Sequence, residues 1–227
     1  MFLTMTTALL FVLALVPSTS GLCRIYKHAN LTVKIVIPTS ACRDAGTNSL
    51  VTVNLGYLNF KNKLTWSIST PQVDGQGVNV FEQYTWYTIE HKVPHEDFVH
   101  IEKECLCLAD FDSQAQYEDC LKVNLLTFNT KSQWYNVMDG WKPGDIEVTM
   151  TYKFWYKQPI VQKSKFSVGG CKVDWVSGNS GAFLCRDRPQ SENTWLPWES
   201  GLQPGTFYGC SWRNLTEVKT PKRSVCL

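Results

Sequence analysis

Residues 78–111 read VNVFEQYTWYTIEHKVPHEDFVHIEKECLCLADF, and this stretch decides our interpretation of the fold. It begins with the aromatic and β-branched residues that are typical of a strand. Pro94 then suits the first turn of a helix, where a backbone N–H is not needed. After Glu104, residues 105–109 (CLCLA) have the character of a short buried strand. The stretch therefore predicts a strand, a crossing helix near residues 94–104 and a second strand.

The predicted helix has an apolar side and an acidic side. Phe98, Ile101 and Cys105 follow the i, i+3, i+7 spacing of an apolar stripe. Glu96 and Asp97 fall in the first turn, where the helix dipole favours negative charge. We therefore expect the helix to pack on a sheet and to expose carboxylates.

Acidic residues are concentrated in the same region. Between residues 82 and 119 there are ten Asp and Glu and two Lys, a net charge of −8, whereas the whole chain carries +2. This asymmetry predicts an acidic face if the side chains project together. Glu96, Asp97 and Glu104 are then candidate partner-binding residues. The alternative is a solvated helix face that binds nothing.

Residues 1–20 have the pattern of a secretory signal peptide. They contain no charged residue, and the apolar run at 8–16 precedes the small residues Ser18 and Ser20. We expect cleavage just before Gly21, because the apolar run is too short to span a bilayer comfortably. The mature chain is then predicted to be secreted and extracellular, with no membrane attachment.

The composition of the remaining chain indicates one folded domain over residues 21–227. Aromatic residues make up 13% of the sequence and include nine Trp, which is too much apolar surface for a disordered chain. No dense Lys/Arg stripe is present, which argues against nucleic-acid binding. No repeat, low-complexity tract or linker divides the chain.

Alternating apolar residues predict several strands separated by turns. The clearest alternation covers residues 146–156. Further strands are predicted at residues 31–37, 50–60, 64–69, 121–128 and 172–176, with a loop at 71–77. Residues 112–119 are polar and fit one helical turn before Cys120. Together these elements predict a mainly β fold: a disulfide-stabilised β-sandwich with one short helix and long loops.

Nine cysteines follow the predicted signal peptide. In an oxidising compartment they predict up to four disulfides with one cysteine left over, but sequence alone does not give the pairing. The odd cysteine is either buried and inert or joins two chains into a homodimer. The nine candidates are Cys23, Cys42, Cys105, Cys107, Cys120, Cys171, Cys185, Cys210 and Cys226. Two sequons, beginning at Asn30 and Asn214, predict N-glycosylation and agree with secretion.

We predict no catalytic residues, no metal and no cofactor. Ser180 lies in a glycine-flanked segment similar to that of secreted serine proteases, but no recognisable His motif accompanies it, so a secreted hydrolase is disfavoured. His95 and His100 precede Cys105 and Cys107, yet this spacing matches no standard zinc site and disulfide-bonded cysteines do not bind zinc.

The segment Trp195-Leu196-Pro197-Trp198 carries two large aromatic residues on either side of a proline. Proline favours an extended backbone with little conformational entropy to lose. Trp195, Pro197 and Trp198 are therefore candidate partner-binding anchors in a rigid loop. The equally weighted alternative is that these tryptophans cap the open end of the sandwich.

The chain resembles the secreted immune-evasion glycoproteins of poxviruses. The resemblance covers about half the chain: Cys23, the segment LTVKIVI and Cys42, then Leu58-Asn59-Phe60, then His95-Glu96-Asp97-Phe98-Val99 through Glu104-Cys105 to Cys120. The Trp195–Trp198 run is similar to the Trp-x-Pro-Trp motif of the cytokine-inhibiting branch.

This resemblance implies a β-sandwich that binds a host cytokine or chemokine and has no catalytic activity. The family includes CC-chemokine-binding proteins and the factor that inhibits granulocyte-macrophage colony-stimulating factor and interleukin-2. The nearly neutral mature chain favours a cytokine of the latter kind, whereas the acidic segment favours a basic chemokine. Binding of leukocyte costimulatory ligands is a third expectation within the same fold.

Overall fold

A computed structural model describes residues 30–59, 61–74, 80–108, 114–131, 140–154, 158–172, 175–176, 181–186 and 196–198. Within these ranges the chain forms ten strands and two helices. The first seven elements are β1 (Asn30–Pro38), β2 (Leu50–Leu58), β3 (Leu64–Ser69), β4 (Val73–Asp74), β5 (Trp86–Lys92), α1 (His95–Leu108) and α2 (Gln114–Cys120). They are followed by β6 (Leu125–Lys131), β7 (Ile146–Lys153), β8 (Ile160–Phe166), β9 (Gly181–Cys185) and β10 (Leu196–Trp198).

The strands form two antiparallel sheets around one core, so the predicted disulfide-stabilised, mainly β sandwich is confirmed. One sheet has the order β5-β1-β7-β8. The other has the order β10-β9-β6-β2-β3, with β4 paired to β2. In the first sheet Ile35 of β1 lies opposite Ile89 of β5 on one side and Val148 of β7 on the other.

The alternation in the sequence fixes which face of each strand is buried. In β1 the residues Leu31, Val33, Ile35 and Ile37 are buried, whereas Lys34 between them is exposed. A one-residue shift in register would bury that lysine, so the register is strongly specified. In the core between the sheets, Phe128 of β6 packs against the buried Trp141, which precedes β7, with ring centroids 5.0 Å apart.

The turn at residues 120–124, which we call the sheet-joining turn, accepts hydrogen bonds from both sheets. Trp66 Nε1 of β3 donates to the Cys120 carbonyl at 2.8 Å. From the other sheet, Tyr152 Oη donates to the Leu121 carbonyl at 2.9 Å. Ser164 Oγ donates to the Val123 carbonyl at 2.6 Å. Buried carbonyls that lack secondary-structure partners are thereby satisfied, and the turn ties the two sheets together.

Asn124, the last residue of this turn, pairs with the backbone of β2 through its side-chain amide. Its side-chain Oδ1 accepts from Leu58 N at 2.6 Å, and its Nδ2 donates to Leu58 O at 2.8 Å. The side chain therefore completes the end of β2 where the β2–β3 register shifts between Tyr57 and Leu58. The strand predicted at residues 50–60 accordingly ends at Leu58.

The strand predicted at residues 105–109 is wrong, because α1 continues through Leu108. Cys105 keeps the helical spacing from Phe98 and Ile101, and all three side chains are buried. A helix that already buries this stripe gains by continuing, and no Gly or Pro interrupts it. The prediction of one short helix also changes, since α2 extends the single turn expected before Cys120 to seven residues.

Other predicted boundaries also shift. Residues 80–84 form turns before β5, and the strand predicted at 121–128 begins only at Leu125, since the sheet-joining turn precedes it. The predicted loop at 71–77 contains β4. Within 172–176, the described part shows only an isolated bridge between Trp141 and Val176. The sequence analysis did not predict β8 or β9, while β3 matches its predicted range of 64–69.

We predict that Tyr152→Phe lowers the free energy of unfolding by about 1 kcal/mol, because it removes the hydrogen bond to the buried Leu121 carbonyl. Burial, with smaller effects from Tyr117 and Glu102, raises the pKa of Tyr152 well above its usual value. A raised pKa in the folded state means that stability is retained below pH ~10 and lost above it, as the unfolded tyrosine ionises first.

The measurement is urea unfolding followed by circular dichroism between pH 7 and 11. The variant should lose less stability than the wild type above pH ~10. Tyr84→Phe, at an exposed tyrosine, is the matched control and should follow the wild-type curve. Equal stability of wild type and Tyr152→Phe at pH 7 would contradict the proposed contribution of this bond.

Candidate partner-binding surfaces

The acidic helix α1 is anchored by its apolar side. It begins directly after Pro94, whose carbonyl accepts from Phe98 N at 3.1 Å. The Phe98 ring is buried and lies 6.3 Å from the rings of Tyr152 and Phe154. Because the aromatic core holds the first turn, the orientation of α1 on the sandwich is fixed.

The structure brings the three predicted acidic residues of α1 together only in part. Glu96 is exposed, and Asp97 and Glu104 are half-buried. Asp97 and Glu104 are seven positions apart, so they lie on one helix face about 10 Å apart along the axis. Glu96 projects about 100° around the helix from Asp97. The result is a narrow acidic stripe with one carboxylate to its side.

The acidic segment does not project as one face. Glu102 is only 2% exposed and accepts a hydrogen bond from Tyr117 Oη at 3.3 Å inside the core. Glu90 pairs with Lys34 at 3.8 Å, and Asp119 pairs with Lys122 at 3.5 Å. Asp110 and Asp112 lie outside the described residues. Among the described residues of the 82–119 segment, the negative charge available to a partner is therefore smaller than the sequence count implied.

Electrostatic effects around α1 extend to the end of β5. Partial burial lowers the pKa of His91, and the Asp97 carboxylate opposes this by raising it. Since burial is the larger effect, neutral His91 is favoured in the folded protein. Asp97 therefore lies close enough to β5 for its charge to be felt there.

Two disulfides hold the elements that carry the acidic stripe and the neighbouring sheet. Cys105–Cys120 joins α1 to α2 across 15 residues, and Cys42–Cys171 joins positions 129 residues apart. Cys185 is also disulfide-bonded. The remaining candidates Cys23, Cys210 and Cys226, and the side chain of Cys107, lie outside the described residues. Cys105 is thus committed to a disulfide, and the described part of the chain contains no cluster of metal-ligand side chains.

Residues 196–198 of this run form the edge strand β10 rather than a loop. The backbone of β10 pairs antiparallel with β9, with Pro197 opposite Ala182 and Trp198 opposite Gly181. An edge position suits proline, which has no N–H for a further ladder. Trp195 and the side chains of residues 196–198 lie outside the described residues. A partner-binding anchor and a cap on the open end of the sandwich therefore stay the two alternatives for these tryptophans.

The sequon residue Asn30 lies at the exposed start of β1. The strand then enters the core at Leu31, which is fully buried. Asn214 and Ser180 lie outside the described residues.

An exposed aromatic pair, which the sequence analysis did not single out, precedes and begins β5. Tyr84 is 70% exposed and Trp86 is 73% exposed. Tyr84 has a φ of 65°, a left-handed conformation that is uncommon for residues other than glycine and especially for bulky ones. We call Tyr84 and Trp86, together with Pro38 opposite Trp86 and Val36 opposite Thr88 on β1, the aromatic corner.

Hydrogen bonds hold the turn that carries this corner. Thr85 N and Thr85 Oγ1 both donate to the Glu82 carbonyl, at 3.1 and 2.6 Å. Thr39 N donates to the Thr85 carbonyl at 2.8 Å, and Gln83 Nε2 donates to the Ala41 carbonyl at 3.0 Å. Below the turn, the buried Phe81 ring packs 4.8 Å from Trp141. The aromatic rings therefore extend from a fixed backbone.

A signal for the corner exists in the sequence. In β5 the inward residue Ile89 is buried and Tyr87 is half-buried, while Trp86, Thr88 and Glu90 face outward. Trp86 therefore lies on the same outward face of β5 as the polar residues Thr88 and Glu90. A tryptophan on the wet face of an amphipathic strand is the feature that would have identified it.

Comparisons with known proteins do not assign the chain to a family. No protein-family model and no curated protein matches it. Among solved structures it is similar to the alpha toxin of Clostridium absonum, with 14% identity and a TM-score of 0.36, over 66% of this chain and 30% of the toxin.

The chain is also similar to lipoxygenase (LOX) variants. One, in complex with arachidonate, has 12% identity and a TM-score of 0.36, over 70% of this chain and 16% of the enzyme. Another has 12% identity and a TM-score of 0.37, over 81% and 19%. The chain thus spans less than a third of each of these proteins, and likenesses at these scores do not assign a function. Within the described residues, no helix is long and apolar enough to cross a membrane.

We predict that replacing both Cys105 and Cys120 by alanine lowers the free energy of unfolding by about 3 kcal/mol, as expected for a loop of this length. Hydrogen exchange should quicken in α1 and α2 before it does in β1. Removal of Cys42 and Cys171 is the matched control, since it breaks a disulfide outside the helix pair. Unchanged exchange in α1 and α2 would contradict a bracing role for Cys105–Cys120.

Proposed function

We propose that this protein is a secreted viral decoy that binds and neutralises a host cytokine related to granulocyte-macrophage colony-stimulating factor or interleukin-2. Binding is by protein–protein interaction, without catalysis. The observation that carries the proposal is the segment from His95 to Cys120, on which the resemblance to the poxvirus family rests most heavily. Within this segment the Cys105–Cys120 disulfide joins α1 to α2, with Phe98 buried and Glu96 exposed.

A braced sandwich is a suitable scaffold for a decoy. A partner surface held by disulfides and packed aromatics loses little conformational freedom on binding, which favours affinity. The Trp195, Pro197 and Trp198 segment is the proposed anchor, because tryptophans are enriched among residues that dominate interface energetics. The backbone of residues 196–198 pairs with β9 at the end of the six-stranded sheet, which limits its motion.

The second candidate function is a scavenger of CC chemokines. What favours it is the acidic stripe of Asp97 and Glu104 with exposed Glu96, because basic ligands associate faster with a surface of opposite charge. Binding of leukocyte costimulatory ligands is a third candidate, and it rests on the resemblance alone. A secreted hydrolase remains the disfavoured alternative of a different class, since it depends on Ser180.

Secretion is part of the proposal. The predicted signal peptide at residues 1–20 and the two sequons support it. The exposed position of Asn30 is compatible with a glycan at the beginning of β1. An odd cysteine that joins two chains would appear as a dimer on a non-reducing gel, and this dimer would disappear on reduction.

The test of secretion is expression of the full chain in mammalian cells. We expect it in the medium, with an N-terminus at Gly21 and with mass lost on treatment with an N-glycan-removing amidase. Asn30→Gln should remove one glycan, and Asn214→Gln should remove the other. Lys34→Gln, on the same strand, is a control that should keep both. Retention of the chain in the cells with an intact N-terminus would contradict the proposal.

The test of function is biosensor binding of the secreted protein to a panel of host cytokines and chemokines. If the ligand is a four-helix cytokine, we expect the double variant Trp195→Ala, Trp198→Ala to bind it at least tenfold more weakly, as for interface hot spots. For a chemokine, we expect the same loss from combined Glu96→Gln, Asp97→Asn and Glu104→Gln, together with steep weakening by salt.

Lys103→Gln on α1 is the control for the acidic variant, because it alters an exposed side chain of the same helix without removing a carboxylate. It should bind as well as the wild type. If no panel member binds at micromolar concentration, the decoy proposal fails.

A further inference from the structure

We infer that the open edge of β5 pairs with the same edge of a second copy of this chain. The two strands run antiparallel about a two-fold axis at Ile89, so that the two four-stranded sheets become one continuous sheet. This inference goes beyond the proposed function and does not depend on its ligand. It also differs from the dimer expected from an odd cysteine, because no covalent bond joins the copies.

The first support is the direction of the main-chain groups of β5. On one side β5 pairs with β1, and no strand among the described residues pairs with its other side. Val93 N donates to the Leu31 carbonyl at 3.0 Å, and Thr39 N donates to the Thr85 carbonyl at 2.8 Å. Bonded residues alternate along an antiparallel strand, so the odd-numbered residues of β5 bond to β1. The main-chain groups that point to the open side are those of Trp86, Thr88, Glu90 and Lys92.

These four residues select one register with a second copy. If Trp86 lies opposite Lys92 of the copy, Thr88 lies opposite Glu90, and all four residues bond on both strands. The two strands then begin and end together, because Trp86 and Lys92 are the first and last residues of β5. A shift by two residues sets Glu90 against its own copy and Trp86 against Pro94, which has no N–H. The opposite shift sets Lys92 against Tyr84, which lies in the turn before β5.

The second support is the match of side chains on the outer face in this register. Trp86 is 73% exposed, and exposed Lys92 forms no ion pair with any described residue. Directly opposed side chains are about 5 Å apart, which brings the Lys92 ammonium onto the indole ring of the copy. Thr88 can likewise donate its hydroxyl hydrogen to the Glu90 carboxylate. The two-fold axis forms each of these contacts twice.

The inner face also matches in this register. Ile89 lies on the axis and meets Ile89 of the copy, while half-buried Tyr87 meets half-buried His91. Tyr87 is held in place by Phe81, whose ring centroid is 5.6 Å away. Pairing therefore continues an inward row of apolar and aromatic side chains from one copy into the other.

Charge does not oppose this pairing. Within the paired span, Lys34 lies 3.8 Å from Glu90, which offsets the repulsion between the two Glu90 side chains at about 7 Å across the diagonal. The two Lys92 side chains lie at opposite ends of the span. Glu82 in the preceding turn, and Glu96 and Asp97 in α1, lie beyond those ends.

The remaining charges of the outer sheet face lie on the other two strands. At about 4.8 Å per strand, β7 is about 14 Å from β5 of the copy and β8 is farther, whereas the screening length is about 8 Å at physiological salt. The basic character of this part of the face is therefore largely screened at the pairing edge. These side chains are Glu147, Lys153, Lys163 and Lys165.

The first experiment is sedimentation velocity of the purified full chain between about 1 and 100 μM, where dimers of small interface area dissociate. We expect monomer at the low end and dimer at the high end. The same sample should run as a monomer on a denaturing, non-reducing gel. A chain that stays monomeric throughout, or a dimer held only by a disulfide, would overturn the inference.

Three variants test the register. Thr88→Pro removes an outward N–H and leaves the ladder to β1 intact, as edge strands allow. Lys92→Glu and Trp86→Thr remove the cation and the ring of one contact, and symmetry doubles the loss. We expect each variant to raise the dimer dissociation constant at least tenfold, whereas Lys92→Arg should stay within about twofold because arginine also binds aromatic faces.

Val161→Thr, at an exposed side chain on the opposite edge strand β8, is the matched control and should dimerise as the wild type does. Lys92→Glu and Trp86→Thr change exposed side chains, so their urea midpoints as monomers should equal that of the wild type. They therefore test the pairing even if Thr88→Pro fails to fold. Dimerisation of Lys92→Glu and Trp86→Thr equal to that of the wild type would contradict the inference.

Hydrogen exchange measured by NMR supplies a readout that is specific to this edge. The amides of Thr88 and Glu90 should exchange slowly in the dimer and quickly in the diluted monomer, while those of Ile89 and His91 stay protected in both. A dimer in which Thr88 and Glu90 remain unprotected uses another surface and would overturn the inference. None of these readouts involves a cytokine, so the dimer and the decoy function fail separately.

Discussion

The sheet-joining turn at residues 120–124 is the constraint on which the rest of the structure depends. Three of its carbonyls accept side-chain hydrogen bonds, from Trp66 of one sheet and from Tyr152 and Ser164 of the other. A β-sandwich normally relies on apolar contact between its sheets, which has no direction. Here directional bonds at one point set how the sheets meet, and leaving those buried carbonyls unpaired would be costly.

The helices follow from this turn. Because Cys120 is both the end of α2 and a disulfide partner of Cys105, the fixed turn also fixes α1. At the other end of α1, the Phe98 ring packs against the ring of Tyr152, whose hydroxyl donates a hydrogen bond to the turn. The outward carboxylates of α1 are thus positioned from the core outward, through covalent and hydrogen-bonded links.

Sequence periodicity was sufficient where one face of a strand is buried and the other is wet, as in β1 and β3. It failed at residues 105–108, because a short apolar run has the same composition in a buried strand and in the buried stripe of a helix. It also missed β8, where only Ser164 and Phe166 are buried and the signal is weak.

For the candidate surfaces, helical spacing predicted part of the exposure of the acidic residues. Glu102 lies four residues after Phe98, on the apolar side of α1, and it is buried, whereas Glu96 lies off that stripe and is exposed. The hydrogen bond that Glu102 accepts from Tyr117 depends on how α1 and α2 pack, which is a tertiary property. The phase of Trp86 in β5, by contrast, was readable from the sequence once the strand boundaries were known.

The Cys42–Cys171 bond makes a covalent ring of the chain between its two ends, and the ring contains every element from β2 to β8. A protease that cuts one loop inside this ring opens it without releasing a fragment. Both pieces stay attached through the sulfur bridge, and the sheets can remain assembled. A single nick between Cys42 and Cys171 therefore leaves the molecule in one piece until a reductant reaches that bridge.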